Sequence, residues 1–106
     1  MPGRLPRYGQ RVNPVKHVDG AFVVEDDAGK RIAETTYTLV DHVMTMPHTW
    51  VDDSLRGHGV ARKLVDAAVA YAREHHHQIN PVCPFVQSAF TKDATIHDVL
   101  VPGAAL

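Results

Sequence analysis

The sequence predicts an α+β fold, a mostly antiparallel sheet with helices packed on it. Two observations point there. In the first half, stretches rich in β-branched and aromatic residues alternate with tight-turn signals, as in a strand meander. In the second half the period changes: apolar residues recur at helical spacing from Val60 to Glu74, and a shorter strand and short helices follow. Strands, then a long helix, then a strand and a short helix is the order of a mixed sheet carrying helices.

The elements follow one by one. Val15 to Val18 is a short segment closed by Asp19-Gly20, a hairpin turn pair. Ala21 to Glu25 reads as a strand, and Asp26, Asp27, Ala28 and Gly29 supply the next turn. Arg31 to Val40 is rich in Thr and carries Ile32, Tyr37 and Leu39; Val43 to Val51 is a fourth strand. Pro47 lies inside that fourth strand. A proline has no N–H for a ladder, so it demands an edge or a bulge there. One end of this strand should therefore part from its neighbour.

The helix from Val60 to Glu74 places Val60, Ala61, Leu64, Val65, Ala68, Tyr71 and Ala72 on one arc, with Arg62, Asp66 and Arg73 opposite. That is an amphipathic helix of about four turns. After His75-His76-His77, the run Gln78 to Phe85 reads as a short strand, held to a divergent position by Pro81 and Pro84. Phe85 to Phe90 and Ala94 to Leu100 are candidate short helices, and 101–106 a frayed tail.

With 106 residues, the chain is sized for one domain. The expected organisation is a partly ordered leader over 1–14 and a single domain over 15–100. A formal net charge of -1 argues against a general binder of nucleic acid, which must neutralise many phosphates. The single cysteine, Cys83, excludes an intrachain disulfide and fits a reducing compartment. Met1 to Arg11 carries prolines and arginines without an apolar run, so neither a signal peptide nor a membrane span is expected. The expectation is a cytoplasmic protein, monomeric or dimeric, with no membrane partner.

The chemistry concentrates in Arg56-Gly57-His58-Gly59-Val60-Ala61, at a strand–loop–helix junction. The first turn of a helix offers N–H groups without intrahelical partners, and the helix dipole adds partial positive charge. A phosphate placed there is held by both. Glycines at 57 and 59 let it approach the main chain, and Arg56, Arg62 and Lys63 add charge. By pattern alone, a glycine-rich turn that merely starts a helix fits equally well. The segment is neither a dinucleotide fingerprint nor a Walker loop.

Arg56-x-x-Gly59-x-Ala61 matches the R/Q-x-x-G-x-G/A signature of the GNAT acetyltransferase superfamily. More specifically, His48-Thr49-Trp50-Val51, Arg56 to Val65 and Pro81-Val82-Cys83-Pro84-Phe85-Val86 resemble the minimal single-domain branch. That branch is marked by H-T-x-V, R-G-x-G-x-A and P-x-C-P-[FY]-V motifs. The resemblance spans about residues 17 to 90 and implies a GNAT-like fold with a splayed strand pair, the first before the long helix and the second after it. It implies acetyl-CoA or coenzyme A as the ligand. Thr49, Trp50 and Val51 would contact the pantetheine through main chain, Arg56, Gly57, His58, Gly59, Val60 and Ala61 would hold the pyrophosphate, and Arg62 or Lys63 would reach the adenosine phosphate.

The same resemblance puts Cys83 on the second splayed strand, near the thioester, with His48 on the opposing strand as its candidate catalytic partner. The alternatives are a small buried apolar residue and a satisfied core histidine. A GNAT tyrosine acid has no counterpart in Phe85 to Phe90. His75-His76-His77 reads as a solvated helix end rather than a metal site, because adjacent helical residues diverge. Met44 and Met46 are core fillers, and Ser54 or Asp53 is the expected helix cap. Three functions remain: an acetyl-CoA-dependent N-acetyltransferase acting on an unidentified amine, directly or through an acetyl-cysteine; a CoA or acyl-CoA binding module; and a cofactor-free interaction domain.

Overall fold

A computed structural model describes residues 12–106; the expected leader lies almost wholly outside the described residues. Five strands form one sheet in the order β1-β2-β3-β4-β5. They are β1 (Lys16–Val18), β2 (Ala21–Glu25), β3 (Arg31–Val40), β4 (Val43–Val51) and β5 (Gln78–Pro81). The first four make the antiparallel meander, and β5 joins β4 in parallel through the crossover helix α1 (Val60–His75). Parallel neighbours require such a crossover. A second helix, α2 (Pro84–Lys92), and a 3-10 segment, Ala94–Val99, complete the chain.

The core lies between one sheet face and the helices. Phe22, Val24, Ala33, Met44 and Met46 face Val60, Leu64, Val65, Ala68, Val69 and Ala72 of α1. Val86, Ala89 and Phe90 of α2 close one end with Ile96 and Val99. Ala61 and Tyr71, expected on the buried arc of α1, are only half-buried. Ala61 instead borders a cleft. Salt bridges tie the helices at the surface: Arg62 reaches Asp66 (2.7 Å) and Asp93 (2.5 Å), and Arg73 reaches Asp98 (2.8 Å).

Two corrections concern the end of the sheet. Strand β5 stops at Pro81 rather than running to Phe85. Pro84 is the first residue of α2, where a missing N–H costs nothing, and Cys83 is that helix's N-cap residue. Beyond the 3-10 segment, Val101 donates to the carbonyl of Ile79 (2.9 Å), so the chain stays tied to β5 one residue into the expected tail.

Pro47 sits where β4 changes its pairing. Thr36 pairs with His48 but Thr38 with Thr45, so Met46 and Pro47 together oppose Tyr37 in a bulge. An extra residue reverses the alternation of side chains beyond it. Before the bulge Met44 and Met46 point to the core; after it Thr49 and Val51 do, while His48 and Trp50 point to the other face. Pairing with β5 ends at the same place, at Met46 and Pro81. The two strands part there. No helix among the described residues is long and apolar enough to cross a membrane.

Candidate active site

The loop after β4 is organised by local hydrogen bonds. Asp52 accepts from the amide (3.0 Å) and hydroxyl (2.6 Å) of Ser54 and caps a 3-10 turn over Asp53–Leu55. The Ser54 hydroxyl first, and its amide second, hold the Asp52 carboxyl below its ordinary range. Neither Ser54 nor Asp53 caps the long helix, as the sequence suggested. The N-cap of α1 is Gly59, and no side chain satisfies its first turn.

Gly57 and Gly59 both adopt left-handed φ, 83° and 69°, a conformation that disfavours residues with a Cβ. Nothing stands within 4 Å of where a Cβ would lie on either. Their need for glycine is conformational, and the space before them is open. The first bond of the helix runs from Lys63 N to Gly59 O (3.1 Å), so the amides of Val60, Ala61 and Arg62 have no intrahelical acceptor.

These amides lie beside a cleft of about 540 Å³. Thr49, Trp50 and Val51 form one wall, Arg56, Gly57, Gly59, Val60 and Ala61 another, with Leu55 and Phe85 between. The β4 wall has main-chain groups to offer. Asp52 N donates to Ile32 O on β3 (2.9 Å), so alternation turns the amides and carbonyls of Val51 and Thr49 toward the opposite edge, where β5 has departed. Phe85 is 55 % exposed. Its place on the wall was not read from sequence, because it depends on where α2 begins.

Of the expected cofactor residues, His58 and Arg62 do not line this cleft. His58 N turns back to Leu55 O (3.3 Å). Arg62 forks between Asp93 and Asp66, which raise its pKa in that order, and so ties α1 to the segment after α2. Arg56 pairs with Asp53 (3.0 Å), both groups largely exposed; such a pair is weak and yields readily to a stronger anion.

Where the strands part, Cys83 N donates to Met46 O (2.9 Å). Its buried Sγ donates to Thr49 Oγ1 (3.3 Å). Thr49 Oγ1 is 3.0 Å from Thr35 Oγ1, which donates to the carbonyl of His48 (3.2 Å). With the Thr35 proton on the main chain, the relay runs thiol to Thr49 and Thr49 to Thr35. Thr35 is fully buried. Neither threonine hydroxyl was legible as a partner of the cysteine.

His48 is not part of this chain of bonds. Its Nε2 lies 3.0 Å from Glu34 Oε2 on the other face of the sheet, as the bulge requires. Glu34 also accepts from Arg31 (2.9 Å). The Arg31 bond, partly opposed by burial and then joined by His48, keeps the Glu34 carboxyl below its ordinary range. The structure brings Cys83 to Thr49 and His48 to Glu34; it does not bring Cys83 and His48 into hydrogen-bond contact.

Residues 21–99 match the family described as GCN5-related N-acetyltransferases. The chain belongs to that family. A GCN5-like protein from Staphylococcus aureus, solved in solution by NMR, shares the fold with a TM-score of 0.68 and 35 % identity, over 82 % of this chain and 86 % of the other. No curated protein matches by sequence. The matched range 21–99 includes the cleft residues, both glycines, His48 and Cys83.

Proposed function

We propose that the chain is an acetyl-CoA-dependent N-acetyltransferase that holds the CoA thioester in the cleft between β4 and the start of α1. The observation that carries this reading is the uncapped first turn of a 16-residue helix opening onto that cleft. The pyrophosphate accepts from the free first-turn amides of Val60, Ala61 and Arg62, where the helix dipole adds to the bond energy. The pantetheine lies along β4 and bonds the main chain of Thr49 and Val51, with Trp50 and Phe85 as apolar flanks. Since Arg62 is occupied by two carboxylates, exposed Lys63 is the cation for the adenosine phosphate.

Transfer requires the acceptor nitrogen to attack the thioester carbonyl. The C–S bond breaks, CoA leaves as a thiolate, and the amine proton passes by way of a base to that sulfur, giving the free thiol. Through Cys83, Sγ attacks first and its proton goes to the departing CoA sulfur; the amine then attacks the acetyl-cysteine and regenerates the thiol. Thr49 fits that step as the group bonded to the thiol. His48, exposed on the other face and paired with Glu34, fits an acceptor arriving from that side as its base. Binding without turnover is the second reading, favoured by the burial of Cys83 and by the lack of hydrogen-bond contact between its Sγ and His48.

Titration with CoA and acetyl-CoA tests the common premise: saturable heat and a raised Tm are expected. No response at millimolar CoA removes both readings. Intact-mass analysis after incubation with acetyl-CoA separates them. One acetyl adduct that disappears in Cys83→Ala supports the covalent route, acetylated amine without an adduct the direct one, and neither product leaves binding alone.

A further inference from the structure

Away from the cleft, α1 ends in His75-His76-His77, and the turn between β3 and β4 brings His42 against it. The two Nδ1 atoms of His42 and His77 stand 3.3 Å apart, with ring centroids 5.3 Å apart and planes inclined by 39°. We propose that His42 and His77 form a two-imidazole chelate for a late first-row divalent cation, Zn²⁺, Ni²⁺ or Cu²⁺.

The distance is the first reason. Histidine nitrogens bind such ions at about 2.0–2.1 Å. Two nitrogens 3.3 Å apart then subtend about 104–111° at a shared ion, the tetrahedral value. The second reason is that the backbone holds both residues. Gln78 N donates to His42 O (2.8 Å) and His77 N to Ala72 O (2.8 Å). Asp41, His42 and His76 all have positive φ (49°, 66° and 59°). Asp41-His42 is the two-residue turn between the paired Val40 and Val43, and His76 is the C-cap of α1; these local conformations deliver the two rings to each other. The rings are tilted by 39° and not stacked.

The neutral imidazole is the form that binds metal. Without metal, one Nδ1–H donates to the other Nδ1. With metal, that proton moves to Nε2 of its own ring through solvent, so two neutral rings bind with no net proton release. Among the described residues no group of three His, Cys, Asp or Glu converges on one point. The protein therefore supplies two ligands, and water completes the shell.

The site has a structural consequence. The residues after the two histidines, Val43 and Gln78, make the first parallel pair of β4 and β5. A bound ion would staple the closed end of the two strands that part further on. This proposal does not depend on acetyl-CoA binding.

The test uses the full chain and the metal ions alone. Calorimetry with Zn²⁺ and Ni²⁺ at neutral pH is expected to show one ion per chain and a Tm that rises with metal concentration. His42→Asn, which tolerates positive φ, and His77→Ala should each weaken binding by roughly tenfold or more, since one imidazole then remains of the chelate. His75→Ala and His76→Asn should bind as wild type. Imidazole ¹⁵N spectra of the loaded protein should show both rings as Nε2–H tautomers with Nδ1 shifted. Saturation absent at about 1 mM metal, wild-type affinity in His42→Asn, loss of binding in the His75 or His76 variant, or metal-shifted Nε2 atoms would each overturn the assignment.

Discussion

Gly59→Ala separates the cost of folding from the cost of binding. Gly59 has φ of 69°, and an added Cβ meets nothing within 4 Å. The folded protein therefore bears only the backbone penalty of a left-handed alanine, about 1–2 kcal/mol. For a domain of this size each kcal/mol lowers Tm by roughly 4–8 °C. The same methyl group enters the space before the first-turn amides. Loss of one amide–phosphate bond, charge-assisted and worth about 1.5–3 kcal/mol, weakens CoA by roughly tenfold to a hundredfold.

Gly29→Ala is the matching control. Its φ is 85°, nothing stands within 4 Å of its Cβ position, and it lies in the turn between β2 and β3. The two variants should lose similar stability in urea melts, whereas only Gly59→Ala should lose CoA in calorimetry. If Gly59→Ala binds CoA as wild type while losing stability like Gly29→Ala, the phosphate does not sit on this helix end. If both weaken CoA equally, the loss reflects global stability and not the site.

Two further outcomes follow from the packing and the ion pairs. Phe90 is fully buried, so Phe90→Ala should cost about 3–5 kcal/mol, much of the margin of a small domain; a loss below about 1 kcal/mol in urea melts would mean that α2 is not docked as described. Glu34, Asp52, Asp93 and Asp98 all have carboxyls held below their ordinary range. Their contribution is present above the unfolded carboxylate pKa of about 4 and is lost as pH falls below it. Burial of His77 acts in the same direction below about pH 6.5. Tm measured against pH should thus decline on acidification, and a Tm that rises between about pH 5 and 3 would contradict these pairings.

Much of the fold was legible because its signals are local. Asp19-Gly20 and Asp26 to Gly29 mark turns by residue type, and Gly20 and Gly29 take the positive φ that such turns use. The period change at Val60 marks α1. The segment Arg56 to Ala61 announced an open helix end because glycine replaced a side-chain cap. Asp41-His42 carried no comparable signal. Both residues adopt a left-handed conformation usually left to glycine or asparagine, and the two-residue hairpin between the paired Val40 and Val43 imposes it. Pro84 was misread for a related reason: a proline restricts a strand and begins a helix with equal chemical logic.

The candidate site was legible in its residues but not in its faces. Read as an unbroken strand, β4 would point Met44, Met46, His48 and Trp50 to one side, and His48 would share a face with the core. The bulge opposite Tyr37 inserts one position, and the alternation reverses. Thr49, not His48, then looks toward Cys83, and His48 turns to Glu34. The same slip rotates the main chain of Thr49 and Val51 toward the edge that β5 has left. Pro47, which cannot donate to any ladder, sits at the slip. One residue without an N–H thus coincides with the parting of the strands, the opening of the cleft wall and the separation of the two titratable groups. A sequence pattern names those groups, but only the register decides which of them can touch.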